Sequence, residues 1–509
     1  MEDLTFYLLL VTLWLASTLL IRRLTSNRRH RLPPGPFPIP LIGHLPHLGT
    51  LPHRSLHRLS ASYGPIISLR LGSSPLIAVN STSAACEVFK THDIAFSDRP
   101  RSYASFRYSY GGPVFAFGPS TPYWRFLKKL CVSELLGSRT LDALRPIRRQ
   151  ERLRLVATLN EAAARGTIID VAEELQKASN NGIIRMTTGM GEGGGIDGLA
   201  EVREVAKGVA ETIGMLNLSD FVWVLRGVDV QGLKGRIDDV FRRYDEMLEI
   251  VIGKKEEERR RRRGGGSGGV GKAKDLLDIL LEVAEDEKAE FKLTRENIKS
   301  FILDVFTAGS DTTATVLEWA LAELINNPTI QYKAQQELDS VVGKHRLVEA
   351  SDVPNLPYLQ SIVKETLRLH PPVPVSPRVA TCDAKIFDYD VPAGTIIFIN
   401  LWSIHRDPEK WVDPFVFKPE RFEDMAVEEK QNNLFHYAPF GGGRRGCPGM
   451  TLGLDVVHVT LASLVQCFEW GVEGGKEDMK EGMGLTAPKK NPIVCMPRVR
   501  LNPFPALHE

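Results

Sequence analysis

The stretch Phe440-Gly-Gly-Gly443-Arg-Arg445-Gly-Cys447-Pro448-Gly449 decides how this chain is read. It isolates one cysteine inside a glycine-rich turn. Glycine tolerates backbone dihedrals that other residues avoid, so the turn can close tightly against a flat ligand. Pro448 suits the first turn of a helix, and 451–468 has the apolar spacing to continue one. That puts Cys447 at a helix N-terminus. Unpaired N–H groups and the positive end of the helix dipole favour its thiolate there. A thiolate held in this way is suited to binding a metal.

Phe440, Gly443, Arg445, Cys447 and Gly449 fit the pattern F-x-x-G-x-R-x-C-x-G. The pattern resembles the haem-binding loop of the cytochrome P-450 superfamily, the haem-thiolate monooxygenases. A structural cysteine in a turn would not need these five residue types around it. The resemblance implies a mainly α fold with small β-sheets (α+β). It also implies haem b ligated by Cys447, O2 as co-substrate, and electrons passed from NADPH by NADPH–cytochrome P-450 reductase.

The chain has 509 residues and a formal net charge of +2, which argues against a dedicated nucleic-acid binder. Cys86, Cys131, Cys382, Cys447, Cys467 and Cys495 are scattered without a CxxC pair, as expected for reduced thiols on the cytosolic side. Residues 4–21 are uncharged and apolar, close to the length of a membrane-spanning helix. Glu2 and Asp3 precede them, and Arg22, Arg23, Arg28, Arg29 and Arg31 follow. This asymmetry predicts an uncleaved anchor over 1–24 with the body in the cytosol, as for a single-pass endoplasmic-reticulum protein. A cleaved signal peptide would want a basic start. A basic, proline-rich hinge over 25–40 reads as an extended spacer, and 41–509 as one catalytic domain.

Residues 66–71 and 76–79 read as a hairpin around Gly-Ser-Ser-Pro, and 390–400 as strand-like. Most of the remainder after Ser81 has helical spacing. The run Arg259–Arg263 before a Gly/Ser stretch reads as a solvated helix end and flexible loop rather than a nucleic-acid patch. Gly189-Met-Gly191-Glu-Gly-Gly194 matches GxGxxG but opens no βαβ unit, so it is rejected as a dinucleotide site.

The longest helical pattern covers 294–327, capped by Thr294 and ended by Asn326-Asn327-Pro328. At its middle lies Ala308-Gly-Ser-Asp311-Thr312-Thr313, a combination expected to loosen a helix locally. It resembles the superfamily's oxygen-activation motif. By that resemblance Thr312 steadies the dioxygen and its proton-delivering water, and Asp311 relays protons from solvent. Glu365 and Arg368 share a helix face. With Arg421 they match the superfamily's buried network behind the haem, a structural role. Trp124, Lys128, Arg378 and Arg445 match the positions that grip the haem propionates, with Lys128 where the family often has arginine. Arg125, Lys128, Lys129 and Arg444 form a basic patch that suits an acidic flavoprotein.

Leu32-Pro-Pro-Gly-Pro36, Tyr123 to Lys129, Glu318 to Leu324 and Asn502-Pro-Phe-Pro505 are similar to plant microsomal members. The narrower resemblance is to the family of flavone synthase II, flavanone 2-hydroxylase and isoflavone synthase. It implies a substrate pocket around Ser102, Phe106, Phe117, Ala308, Val373, Val375, Leu485 and Thr486. A small apolar or phenolic substrate suits these side chains, a flavonoid first and a terpenoid or other phenylpropanoid second. A reductase-independent haem-thiolate isomerase or dehydratase usually lacks the acid–alcohol pair. A non-catalytic haem protein would need neither that pair nor a reductase face.

Overall fold

The computed structural model describes residues 30–112, 115–190, 199–264, 274–423 and 435–507, with 5–7, 9, 11–14 and 16–17 near the amino end. Its principal helices are α1 (Pro52–Tyr63), α2 (Tyr103–Tyr108), α3 (Pro122–Leu130), α4 (Arg145–Arg165), α5 (Val171–Thr188), α6 (Leu199–Gly214), α7 (Leu233–Gly264), α8 (Leu276–Glu285), α9 (Arg295–Asn326), α10 (Pro328–Val341), α11 (Pro357–Leu369) and α12 (Met450–Cys467). The main sheet contains β1 (Ile66–Leu71), β2 (Ser74–Val79), β3 (Val375–Val379) and β4 (Ile396–Asn400), in the order β1-β2-β4-β3.

Helix α9 is the axis of the body. Thr294 caps it, accepting the Asn297 N–H at 3.2 Å while Asn297 returns a bond to the Thr294 N–H. Its first half, Ile298 to Phe306, belongs to a core shared with α6, α7 and α8. Its second half, Ala314 to Ile325, belongs to another core shared with α4, α10, α11 and α12. Apolar residues therefore surround the helix on most sides, as befits a buried central element. Between the two cores Ala308 is exposed, so the helix meets open space at this point. The expected loosening is not seen as a break, because the α-helix is continuous from 295 to 326. Thr312 instead donates to the Ala308 carbonyl at 2.8 Å, and Ser179 of α5 donates to the Ser310 carbonyl at 2.7 Å.

The hairpin turn is shorter than its sequence suggested. Leu71 pairs with Ser74, leaving Gly72-Ser73 as the turn, with Gly72 at φ 57°. Pro75 is tolerated inside β2 because the parallel pairing with β4 begins only at Leu76. Strand-like 390–400 divides into Tyr389–Val391 and β4. The proline-rich segment is not a free spacer throughout. Ser68 of β1 donates its N–H to the Pro34 carbonyl at 2.9 Å, so the segment joins the body there.

The expected anchor over 1–24 falls largely outside the described residues. One described helix, α12, is long and apolar enough to cross a membrane by length and composition, but half of it is buried in the core. The Arg259–Arg263 run is less solvated than expected. Arg259 is buried and bonds the Asp278 carbonyl and Glu285, and Arg263 also pairs with Glu285. Residues 265–273 lie outside the described residues, as do 191–194 of the rejected glycine motif. Gly189 ends α5 in a left-handed conformation.

Candidate active site

The cysteine loop is shaped by short backbone bonds. Gly441 donates to the Ala438 carbonyl at 2.9 Å, Gly446 to Gly443 at 3.0 Å, and Cys447 to Phe440 at 2.9 Å. Gly443 adopts φ 63°, and a Cβ there would lie 2.2 Å from an Asp93 carboxylate oxygen. Asp93 holds the loop from outside by accepting the Arg444 N–H at 3.0 Å and pairing with its guanidinium at 3.2 Å. Helix α12 starts later than expected, with Gly449 as its N-cap. Pro448 is therefore outside the first turn, and Cys447 precedes the cap. Burial pushes the Cys447 thiol up, while the Gly449 N–H and the Lys128 ammonium pull it down.

Three arginines stand beside this loop, Arg378 and Arg445 buried and Arg99 half-buried. Arg445 donates Nε to the Ser97 carbonyl at 2.6 Å and Nη groups to the Phe115 and Gly118 carbonyls, and its guanidinium lies 4.0 Å over the Trp124 ring. Trp124 donates Nε1 to the Phe115 carbonyl at 2.8 Å. Lys128 donates to the Gly446 carbonyl at 2.7 Å. Arg378, on β3, donates Nη2 to the Gly442 carbonyl at 3.0 Å, but its Nε and Nη1 have no partner. Arg99 bonds the Pro377 carbonyl and leaves Nε unpartnered. Burial pulls Arg99 and Arg445 down to about 10, and burial with its two arginine neighbours pulls Arg378 well below the arginine range. No carboxylate pairs with any of the three among the described residues. Arg99 escaped the sequence reading because a lone Arg-Pro carries no local signal.

Behind the loop, Glu365 is fully buried. Its carboxylate accepts Arg368 Nε at 2.7 Å and Nη2 at 2.8 Å, Arg421 Nε at 2.9 Å and the Lys418 N–H at 2.8 Å. Arg368 goes on to the His405 and Pro414 carbonyls, both at 2.8 Å. His405, which the sequence reading missed, accepts the Ala438 N–H at 3.0 Å.

On α9, Asp311 accepts the Thr486 hydroxyl at 2.5 Å. A cavity of about 180 Å³ lies beside them, lined by Phe306, Thr307, Ser310, Asp311, Leu485 and Thr486 among others. Asp304, about two turns earlier, accepts the Ala116 N–H at 3.0 Å and is pushed up to about 7 by burial. Of the expected pocket residues, Leu485 and Thr486 line this cavity, and Ala308, Phe117, Val373 and Val375 are exposed or half-buried. Ser102 caps α2, its hydroxyl accepting the Ser105 N–H at 3.1 Å, and Phe106 is 61% exposed. The capping box fixes Ser102, and helical spacing then turns Phe106 outward.

The cytochrome P450 family profile matches residues 33–496. This chain belongs to the cytochrome P450 family. Among curated relatives, the P450 is 43% identical to a 3,9-dihydroxypterocarpan 6A-monooxygenase of Glycine max, over 95% of this chain and 96% of the relative. It is 42% identical to a β-amyrin 24-hydroxylase of the same plant, over 99% and 100%. A zebrafish cytochrome P450 solved with progesterone superposes with a TM-score of 0.75 at 26% identity, covering 88% of this chain and 99% of that one. The P450 is an oxygen-using, haem-dependent oxidoreductase with a mainly helical fold and small sheets.

The residues present fit a haem. Arg378 and Arg99 carry buried N–H groups without acceptors, which suits an acidic group reaching them. Cys447 is the cysteine of the loop and is reachable, and Ala308 is exposed on α9.

Proposed function

We propose that this P450 is a membrane-anchored monooxygenase that oxidises a C–H bond of a plant flavonoid. The observation that carries the monooxygenase reading is the acid–alcohol pair Asp311-Thr312, with Asp311 lining a cavity, on the helix that packs against α12 just after Cys447. Bound through Cys447, haem supplies the activation of dioxygen. The chain's own side chains do the rest. Arg99, Arg378, Arg445, Trp124 and Lys128 hold the acidic edge of the cofactor, with Phe440 and Gly449 framing the sulfur. Glu365, Arg368 and Arg421 brace the loop from behind. Asp311 takes a proton from cavity water and Thr312 holds the water that passes it on.

Electrons come from NADPH through a membrane-bound flavin reductase. Exposed Arg125, Lys129 and Arg444 support this as a docking face for an acidic partner. Lys128 contributes less than expected, since its ammonium is held by Gly446. The 1–24 anchor, a hinge over 25–40 and a catalytic domain over 41–509 fit the endoplasmic reticulum. Exposed Phe37, Ile39 and Ile42, with Trp223, Val224 and Val228, support contact of the body with lipid. The Ile42 and Phe221 carbonyls bond neighbouring Gly72 and Ser73, which brings the two groups together.

The resemblance to flavone synthase II-type enzymes and the pterocarpan-oxidising relative favour a flavonoid. The β-amyrin relative, of nearly equal identity, favours a terpenoid as the second reading. Microsomes carrying the protein and its reductase, fed flavanones, isoflavonoids and triterpenes, decide by product mass. An oxidised flavonoid formed only with NADPH supports the proposal. Turnover of triterpenes alone replaces it with the second reading.

A further inference from the structure

Thr486 sits far from Asp311 in sequence, 175 residues away, yet their side chains meet at 2.5 Å. The expectation for Thr486 was a substrate contact. It lines the cavity and is 4% exposed, with its hydroxyl donating to the Asp311 carboxylate.

The turn that carries it is fixed at both ends. Glu481 and Lys489 bridge its base, and Gly482 donates to the Pro488 carbonyl at 2.7 Å. Ala487, next to Thr486, donates to the Pro372 carbonyl at 2.9 Å and accepts the Trp319 indole N–H of α9 at 2.9 Å. Gly214 at the end of α6 closes on Leu485; a Cβ there would lie 2.4 Å from the Leu485 nitrogen. The hydroxyl therefore stays at one place relative to α9. A threonine on a free loop could not hold a carboxylate in this way, because ordering the loop would oppose the bond.

The cavity beside the pair is rimmed by Gln176, Asn180, Lys207 and Glu211. With about 180 Å³ and several polar walls it has room and partners for water. Asp311 thus has one oxygen fixed by Thr486 while its carboxylate lines the cavity.

Resting on the monooxygenase reading above, we propose that Thr486 is a positioning residue that holds Asp311 in the orientation from which it passes protons between the cavity water and Thr312. The hydroxyl donates to the carboxylate and fixes its rotamer. A proton arrives at the free oxygen from water and leaves through water, so no bond to Thr486 is made or broken.

The test uses full-length protein with haem in membranes. Variants are Thr486→Val, Thr486→Ser, Asp311→Asn and the double variant of Val and Asn. Infrared difference spectra of native against Asp311→Asn protein isolate the Asp311 carboxylate stretch. Thr486→Val is expected to shift that band and Thr486→Ser to restore it. In turnover, Thr486→Val is expected to make less product per NADPH, with a larger solvent isotope effect, and KM little changed. In the Asp311→Asn background Thr486→Val is expected to add nothing further. A carboxylate band unmoved by Thr486→Val overturns the proposal, and this arm needs no substrate. Additive losses in the double variant also overturn it, since Thr486 would then act other than through Asp311. If no substrate turns over with native protein, the monooxygenase reading fails by itself while the infrared result still judges the Thr486–Asp311 pair.

Discussion

His405 accepts the backbone N–H of Ala438 through Nε2 at 3.0 Å, and its own carbonyl takes an N–H of Arg368 at 2.8 Å. One residue thus ties the buried Glu365 network to the start of the cysteine loop. The ring is fully buried and is pushed down to about 3, by burial first and the charges of Arg406 and Arg368 next, so it is neutral at physiological pH. Only a neutral ring can accept the Ala438 proton.

Replacing His405 by Leu leaves a buried N–H without an acceptor. The expected cost is about 1–3 kcal/mol of stability, and looser haem retention because the loop starts at Ala438. Melting temperature and the ratio of haem to protein absorbance measure the two. A lower melting point with native haem content would contradict the link.

Arg378 is buried, has two unpartnered N–H positions, and faces Arg99 and Arg445. Arg378→Met fills similar space without the charge. The haem-free protein is expected to melt higher, since relieving a buried unpaired donor is worth about 1–3 kcal/mol, while haem affinity falls. Haem titration of both apoproteins tests the opposed signs. Equal or tighter haem binding by the variant would remove Arg378 from the acid-binding set.

Asp304 gives a pH dependence of defined sign. Burial raises its carboxyl to about 7. The folded state therefore keeps its proton from about pH 4 to 7 while the unfolded chain has lost it. Its contribution is full below pH 4 and declines as pH rises to 7, by up to about 1.4 kcal/mol per pH unit. Asp304→Asn should melt lower than native near pH 5, and this deficit should shrink, or turn into a gain, near pH 8. Melting curves of both proteins from pH 5 to 8 measure the difference; a constant difference would contradict the assignment.

Thr312→Ala removes the hydroxyl beside Asp311. NADPH consumption is expected to persist with more peroxide and less product, because water is no longer held for proton delivery. Product, peroxide and NADPH counted together give the coupling. Native coupling in the variant would count against the role given to Thr312.

Local signals served this chain well. The cap at Thr294, the apolar periodicity of α9, and the strand Ile66–Leu71 are written in neighbouring residues, and the structure places them within a residue or two. Glu365 and Arg368 could be paired because they are three apart on one helix, and Arg421 joined them through motif order. Arg99, Asp304 and His405 stayed hidden because their meaning comes from partners in other elements. The contact of Thr486 stayed hidden in the same way, since nothing nearby in sequence reveals that its hydroxyl meets Asp311.

The reduced, carbon-monoxide difference spectrum reaches the central claim most directly. Native protein expressed with ample haem should show the Soret band of a thiolate-ligated iron, and Cys447→Ala should lack it. Native protein without that band, or a Cys447→Ala variant that retains it, would show that sulfur at position 447 does not hold the iron.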